Sequence, residues 1–139
     1  MAKSYYLVKS EPYKYSFDQL VADGHAVWDG IRSFEARNNL RAMKKGDLVL
    51  YYHSNEGKEI VGVVEIVRPF YPNPDEPSDK FGLVDVVPVM PVKKPVTLAE
   101  MKATAKLKDM ALIRQSRLSV CPVTDQEWAV VCKMAGIEA

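Results

Sequence analysis

Apolar and polar positions recur along the chain with spacings that predict short strands and short helices in mixed order. Aromatic and β-branched runs predict strands at residues 5–8, 48–52, 60–67, 81–90 and 118–123. Helical spacing predicts helices at residues 17–23, 34–43, 97–102 and 124–135. Because the strands lack the regular spacing of strand–helix–strand units, this order predicts a small curved or closed sheet of the α+β class and excludes a doubly wound one.

Turn and cap residues mark where these elements begin and end. Capping boxes are predicted at Ser16, Thr97 and Thr124, each at the start of a predicted helix. Residues 69–80 hold four of the nine prolines and three acids, which predicts an irregular loop. Pro88 interrupts its predicted strand, which favours a sheet edge or a bulge there.

Two connections between elements can also be predicted from turn chemistry. The turn at residues 55–57 predicts an antiparallel hairpin between the strands on either side of it. Asp29-Gly30 is a turn sequence, so Trp28 is predicted to lie in an irregular stretch.

The helix predicted at residues 34–43 has two different sides. Its apolar side, which includes Leu40, is expected to face the core. Its outward side is aromatic and basic, and consists of Phe34, Arg37, Asn38 and Arg41. This side is a candidate nucleic-acid surface, although a solvated helix face with one exposed phenylalanine explains the same pattern.

Length and composition indicate one globular domain spanning residues 1–139. Hydrophobic residues make up 47% and charged residues 27% of the chain, as in ordinary globular proteins. The formal net charge is only +1, so any nucleic-acid binding must come from local charge segregation. Residues 32–45 and residues 102–117 each hold five basic residues against one acidic residue, which provides that segregation.

The few metal-binding residue types exclude a recognisable metal framework. The chain has two cysteines, Cys121 and Cys132, and two histidines, His25 and His53, without zinc-type spacing. No apolar stretch reaches the length of a signal peptide or a membrane span. We therefore expect a cytoplasmic protein with free thiols, no metal, no cofactor and no membrane partner, and we favour a monomer.

Four polar patches, each beside an apolar run, are expected to form the rim of one pocket. They lie at residues 9–12, 28–32, 52–55 and 117–120. Strand ends and adjacent loops are where a rigid scaffold usually presents binding groups. The sequence therefore predicts one site assembled from distant segments.

Each member of this rim also has a purely structural interpretation. Trp28 could plug one end of the sheet, Ser10 could stabilise a turn, and Glu11 could form a surface ion pair. His53 could be a packed, hydrogen-bonded residue, and Arg117 could bind backbone carbonyls. These interpretations explain single residues, but not four such patches together.

The patches, with two further segments, resemble the EVE domain, a branch of the PUA-like superfamily that includes YTH and ASCH domains. The segments that carry the resemblance are Lys9-Ser10-Glu11-Pro12, Trp28-Asp29-Gly30-Ile31-Arg32, Ala36-Arg37-Asn38, Met43-Lys44-Lys45-Gly46-Asp47, Tyr52-His53-Ser54-Asn55 and Arg117-Leu118-Ser119-Val120. They occur in register over nearly the whole chain, which makes the match specific. Ser33 stands where the family typically has asparagine.

The resemblance implies a PUA-like mixed β-barrel of about five to six strands with short flanking helices. It also implies a non-catalytic module that binds DNA or RNA and recognises a methylated or hydroxymethylated base. The candidate ligand-binding residues are Lys9, Ser10, Glu11, Pro12, Trp28, Gly30, Ile31, Arg32, Phe34, Arg37, Asn38, Arg41, Tyr52, His53, Ser54, Arg117, Leu118 and Ser119.

The chemistry of these residues agrees with recognition of an extruded base. Trp28 supplies an aromatic face for stacking, and short polar side chains such as Ser10 and Asn38 can read a base edge. Arginines such as Arg37 and Arg41 can hold phosphates. Glycine at position 30 allows the main chain to approach a ligand closely.

Two other classes of function compete with this hypothesis. A small-molecule or protein-interaction module could use the same pocket, since pocket shape alone does not demand a polymer. An enzyme is disfavoured, because Lys9, Ser10 and Glu11 are consecutive and adjacent strand residues point to opposite faces.

Overall fold

The computed structural model describes residues 4–10, 15–28, 34–54, 58–72, 82–115, 118 and 120–137. The strands are β1 (Tyr5–Ser10), β2 (Ala26–Trp28), β3 (Leu48–His53), β4 (Glu59–Pro72), β5 (Gly82–Thr97) and β6 (Val120–Val123). The α-helices are α1 (Phe17–Asp23), α2 (Phe34–Ala42), α3 (Leu98–Lys102), α4 (Ala111–Arg114) and α5 (Asp125–Ala135), and a 3-10 turn spans Ala105–Leu107.

The six strands form one mixed sheet in the order β2-β5-β4-β3-β1-β6. β1 pairs with β3 in parallel, and the other neighbours are antiparallel. The sheet curls strongly into a half-barrel with short helices around it, which confirms the predicted α+β class and PUA-like architecture.

The two faces of this sheet are distinguished by the alternation of side chains along β1 and β3. Side chains with even numbers in β1 and odd numbers in β3 share one side, which we call the Tyr51 face, because Val8 pairs with Tyr51 and Ser10 with His53. The opposite side, which we call the Tyr5 face, carries Tyr5 and its register partner Leu48.

Each face packs against a different part of the chain. On the Tyr51 face, the rings of Phe17 and Trp28 contact the Tyr51 ring. On the Tyr5 face, Trp128 of α5 stacks on Tyr5. Helix α1 and strand β2 thus cover the Tyr51 face, and helix α5 covers the Tyr5 face.

Close packing of α1 on the Tyr51 face explains a glycine inside β4. A Cβ atom at Gly62 would overlap the Phe17 ring, which lies directly against the backbone there. Gly62 pairs with Tyr51, so Phe17 occupies the space beside the Tyr51 ring.

The predicted helix starts at Ser16, Thr97 and Thr124 are confirmed, whereas the predicted irregular stretch at Trp28 is wrong, because Trp28 belongs to strand β2. Hydrogen bonds at Ser16, Thr97 and Thr124 cap α1, α3 and α5, and complete capping boxes are present at the last two. β3 and β4 form the predicted antiparallel pair, although the turn at residues 55–57 lies outside the described residues.

The predicted loop at residues 69–80 is wrong at its start, because β4 continues to Pro72. β5 is also longer than predicted and runs to Thr97. Pro69 and Pro72 predicted a loop, but β4 pairs with β5 through this segment. Register shifts in the β4–β5 pair accommodate the residues that do not fit a regular ladder. One shift lies at the partners of Pro88, so the bulge alternative for Pro88 is correct.

Three short elements escaped the sequence prediction. Trp28 ends the three-residue strand β2, which is paired with β5 and is too short to show an alternating pattern. The 3-10 turn at residues 105–107 and helix α4 each span about one turn and lack a side-chain cap. None of the helices in the described ranges has the length and apolar character needed to cross a membrane.

Candidate functional site

The ends of β1 and β3 bring predicted site residues from two distant segments side by side. Parallel strands point their carboxyl ends to the same edge, and here Ser10 pairs with His53. The Ser54 amide donates to the Ser10 carbonyl at 2.9 Å, so the alignment continues beyond β3. The sequence prediction that these segments converge agrees with this geometry.

Three hydrogen bonds join this edge to the main chain just before and at the start of α1. The hydroxyls of Ser10 and Tyr51 donate to the Tyr15 carbonyl at 2.9 and 2.8 Å. The Phe17 amide donates to Nε2 of His53 at 3.1 Å. This amide is one of the first-turn groups that have no acceptor inside a helix, so His53 satisfies a donor that α1 would otherwise leave unpaired.

Tyr51 is the centre of an aromatic cluster on the same face. Its side chain is fully buried, and its ring centroid lies 5.5 Å from Trp28, 5.6 Å from Phe17 and 5.8 Å from His53. Burial raises the pKa of Tyr51, so its hydroxyl stays protonated and donates to Tyr15. The Trp28 and Tyr51 rings meet at 81°, so Tyr51 covers at most one face of the indole.

The charge state of His53 follows from its surroundings. Burial lowers the pKa of His53, and the carboxylates of Glu59 and Asp18 oppose that shift with smaller effects. The neutral imidazole is therefore favoured. Because Nε2 accepts the Phe17 amide proton, the single proton of the neutral ring is on Nδ1.

Two of the predicted rim residues lie on the opposite side of the sheet. Lys9 and Tyr52 are register partners on the Tyr5 face, whereas Ser10 and His53 are partners on the Tyr51 face. Lys9 is half-buried, and burial lowers its pKa; Tyr52 is buried. Ligand contacts from Lys9 and Tyr52 stay predictions, and the structure separates them from the Ser10–His53 pair.

The outward side of α2 carries the predicted basic groups. Arg37 donates from Nε and from one terminal nitrogen to Oδ1 of Asn38, at 3.3 and 2.9 Å. Arg41 is exposed, and its guanidinium carbon lies 5.2 Å from the centre of the Phe70 ring. This cation–π contact positions Arg41 beside β4 without neutralising its charge.

Asn39 is a structural residue that the sequence prediction overlooked. Its Nδ2 donates to the Val120 carbonyl at 2.7 Å and thereby joins α2 to β6. Position 39 lies one helical turn before Met43 and beside Leu40, both of which are buried. That spacing was the available signal that this amide faces inward.

Leu118 is buried among the core residues rather than placed at an open rim. Its amide donates to the Gln115 carbonyl at 2.9 Å, and its carbonyl lies 3.4 Å from the Cys121 sulfur. The contact of Leu118 with a ligand stays a prediction.

Several other predicted site residues lie outside the described part of the chain: Glu11, Pro12, Gly30, Ile31, Arg32, Arg117 and Ser119. Phe34 is described only as the first residue of α2. The roles of all eight stay predictions.

Solved structures with clear sequence similarity share the fold over nearly their whole length. The NMR structure of Rpa0253 from Rhodopseudomonas palustris is 54% identical with a TM-score of 0.91, over 96% of this chain and 93% of that one. The crystal structure of human THYN1 in complex with DNA containing 5-methylcytosine is 33% identical with a TM-score of 0.89, over 99% and 100% of the two chains.

A more distant structure resembles this one in fold alone. The YTH domain of the MRB1 protein from Zygosaccharomyces rouxii has a TM-score of 0.56 at 14% identity, over 99% of this chain and 89% of that domain. Residues 4–134 match the EVE domain family. This chain therefore belongs to the EVE domain family, with the PUA-like fold that its sequence motifs predicted.

Proposed function

We propose that this protein binds DNA that carries a modified base, and that 5-methylcytosine is a preferred ligand. The observation that carries the proposal is the human THYN1 structure, which contains 5-methylcytosine DNA and matches this chain over 99% of its length. The resemblance identified from the sequence led to the same class of ligand. Support from this chain itself comes from the two surfaces described above.

The first surface is the aromatic cluster beside the Ser10–His53 pair. A protein that reads an extruded base needs a ring to stack on and fixed polar groups at the base edge. Trp28 supplies the ring, and its perpendicular contact with Tyr51 holds its orientation. The Trp28 side chain is only 8% exposed, so the proposal requires covering residues to shift when a base enters.

The second surface is the basic side of α2. Arg41 is exposed and rests on Phe70, and Arg37 lies one helical turn earlier. Arginine side chains in this setting can hold phosphates and fix the position of a nucleic acid without reading its sequence. The proposed role of α2 is thus to attract and align the DNA strand.

We assign no chemical step to this site. Lys9 and Ser10 could be imagined as a nucleophile and its base, but they lie on opposite faces of the sheet, so these side chains do not share a reaction centre. The proposed activity is binding, with specificity for the modification.

The proposal is tested with matched DNA and RNA oligonucleotides carrying cytosine, 5-methylcytosine, 5-hydroxymethylcytosine or N6-methyladenine, at two salt concentrations. We expect 5-methylcytosine DNA to bind more tightly than unmodified DNA, with an affinity that falls as salt rises. Equal affinities for all oligonucleotides would overturn recognition of the modification. Preference for the RNA series would assign the module to RNA instead of DNA.

A substitution at Trp28 tests the stacking surface. Trp28→Leu keeps an apolar side chain in the cluster but removes the aromatic face, and stacking is typically worth ~1–3 kcal/mol per base. We expect the preference for 5-methylcytosine to fall by at least about fivefold in competition binding. The matched control is Val27→Ala in the same strand, because Val27 is 45% exposed and should leave the preference unchanged. An unchanged preference in folded Trp28→Leu would remove Trp28 from the binding site.

A further inference from the structure

We infer that Ser10 and His53 together read the edge of an amino-bearing base, cytosine or adenine, with Ser10 accepting and His53 donating. The inference rests on the proposed function and specifies what that site selects beyond the modification. It follows from which hydrogen-bonding capacity each side chain has already used within the protein.

One ring nitrogen of His53 is hydrogen-bonded within the protein, and the other can bind a ligand. Nε2 accepts the Phe17 amide, which fixes the proton of the neutral ring on Nδ1. Among the described residues the His53 ring makes its hydrogen bond through Nε2 and none through Nδ1, and the side chain is partly exposed. Towards a ligand, His53 is therefore a donor of fixed tautomer.

Ser10, in contrast, can offer a ligand an acceptor rather than a donor. Its hydroxyl has one proton, which it donates to the Tyr15 carbonyl at 2.9 Å. The Tyr51 hydroxyl also lies within hydrogen-bonding reach of Ser10, but it donates its proton to the Tyr15 carbonyl. The lone pairs of the Ser10 oxygen therefore remain, and the side chain is partly exposed. Towards a ligand, Ser10 is therefore an acceptor.

The strand pairing places this acceptor and this donor next to each other. Ser10 and His53 are register partners on the Tyr51 face. Neighbouring strands lie about 4.8 Å apart, so both side chains can converge on one planar ring. Both also lie beside the cluster that contains Trp28, because the His53 and Tyr51 rings are in contact.

An acceptor beside a donor is complementary to the edge at which cytosine carries its 4-amino group and adenine its 6-amino group. Cytosine presents its amino group next to the N3 acceptor, and adenine presents its amino group next to a ring nitrogen acceptor. At the equivalent position, thymine, uracil and guanine present a carbonyl oxygen next to an N–H group, the reverse arrangement. With a base of this second group, the carbonyl oxygen would face the Ser10 acceptor and the N–H group would face the His53 donor. Neither contact can form a hydrogen bond, and unpaired buried polar groups strongly disfavour binding.

The decisive ligand comparison is 5-methylcytosine against thymine at one position opposite guanine. Thymine keeps the 5-methyl group and exchanges the amino edge for the carbonyl edge, so the pair isolates edge reading from methyl recognition. A thymine opposite guanine is mismatched and easier to extrude, which biases the comparison against our inference. We expect 5-methylcytosine to bind at least about tenfold more tightly. Equal or tighter binding of thymine would overturn edge reading.

Two substitutions of His53 separate its two roles. His53→Gln can place its amide oxygen at the former Nε2 position and accept from Phe17, but it removes the donor at the Nδ1 position. His53→Asn places a donor near the Nδ1 position and loses the acceptor for Phe17. We expect His53→Gln to retain the melting temperature and lose most of the discrimination against thymine. His53→Asn should show the reverse, with a lower melting temperature and better discrimination than His53→Gln.

The acceptor is tested in the same assay with Ser10→Ala, which should reduce discrimination against thymine by about fivefold. Unchanged discrimination in both His53→Gln and Ser10→Ala would overturn the assignment even if the wild type prefers 5-methylcytosine to thymine. These outcomes differ from failure of the proposed function, in which the wild-type protein would not distinguish 5-methylcytosine from unmodified cytosine.

Discussion

The two tryptophans lie in aromatic clusters on opposite faces of one sheet, and the clusters differ in their polar groups. Trp128 stacks on Tyr5 with ring centroids 4.3 Å apart and planes 15° from parallel. Trp28 meets Tyr51 at 81°, in a cluster whose Tyr51 hydroxyl and His53 ring are hydrogen-bonded to the main chain near α1. Both side chains are buried, at 3% and 8% exposure, so burial alone does not separate a core tryptophan from a candidate ligand contact.

The difference lies in what each cluster leaves for a ligand. Around Trp128 the neighbouring α5 residues Val131, Cys132 and Ala135 are buried and apolar, and the indole N–H of Trp128 has no partner in the described residues. That unpaired donor is a local cost that close packing offsets. Around Trp28, by contrast, Ser10 and His53 retain hydrogen-bonding capacity in defined directions. The cluster around Trp128 thus contributes packing, and the cluster around Trp28 combines packing with the polar groups of the proposed binding site.

Removing Trp128 should break the Tyr5 face with the largest effect on stability. Trp128→Ala removes a buried ring and its stack on Tyr5, and we expect a loss of about 3–5 kcal/mol in the free energy of unfolding, measured by urea denaturation. Any protein that remains folded should keep its ratio of affinities for methylated and unmethylated DNA. If folded Trp128→Ala changed the ratio of affinities for methylated and unmethylated DNA, the two faces would not be separate in function.

Gly62→Ala should disturb the Tyr51 face from within the sheet. The added methyl group would overlap the Phe17 ring, so we expect a loss of about 1–3 kcal/mol in urea denaturation. The control is the same change in a Phe17→Leu background, where a smaller and more flexible side chain should reduce the cost. Equal costs in both backgrounds would contradict the assigned contact.

Acidification should weaken the Tyr51 face selectively through His53. Burial lowers the folded-state pKa of His53, so the folded state prefers the neutral ring more strongly than the unfolded state does. Its contribution to stability is complete above the unfolded value of about 6.5 and is lost as pH falls from there through the lower folded value. Glu59 and Asp18 favour the protonated ring and limit the effect.

The measurement is the free energy of unfolding between about pH 7.5 and 5 for the wild type and His53→Gln. We expect the wild type to lose more stability over this range than the variant, because protonated Nε2 cannot accept from Phe17. His25→Gln is the matched control, since His25 is exposed at the end of α1 and should leave the pH response as in the wild type. Parallel curves for wild type and His53→Gln would contradict this role.

Arg41→Ala should have the smallest effect and should act on both modified and unmodified DNA alike. Loss of one phosphate contact is expected to reduce the slope of log affinity against log salt by about 0.7–0.9 and to leave the methyl preference unchanged. Arg114→Ala is the control, because Arg114 is exposed and lies 3.6 Å from Asp109 on a different helix. A slope unaffected by Arg41→Ala would remove α2 from the DNA surface.

The sequence predicted those parts of the fold that depend on local interactions. The caps of α1, α3 and α5 and the β3–β4 hairpin require only a few neighbouring residues. The extension of β4 through Pro69 to Pro72 requires a partner strand that accommodates register shifts, and no local signal reports such a partner.

The sequence likewise predicted only part of the candidate site. Polar residues at strand ends were recognisable, so Ser10 and His53 were found together. Tyr51 was missed because it lies inside an apolar run and is distinguished only by the carbonyl and rings that it contacts. The separation of Lys9 from Ser10 follows from strand alternation, which disfavours a shared reaction centre and also divides the predicted pocket rim between two faces.

The parallel pairing of β1 and β3 has a consequence for how the proposed binding specificity can change. Parallel neighbours cannot be joined by a tight hairpin, so the chain must leave β1, cross over and return to enter β3. In this protein the crossover contains α1, β2 and α2, and it therefore carries both Trp28 and Arg41. Substitutions at these two positions of the crossover are therefore expected to alter binding while the ladder of β1 and β3 keeps its register.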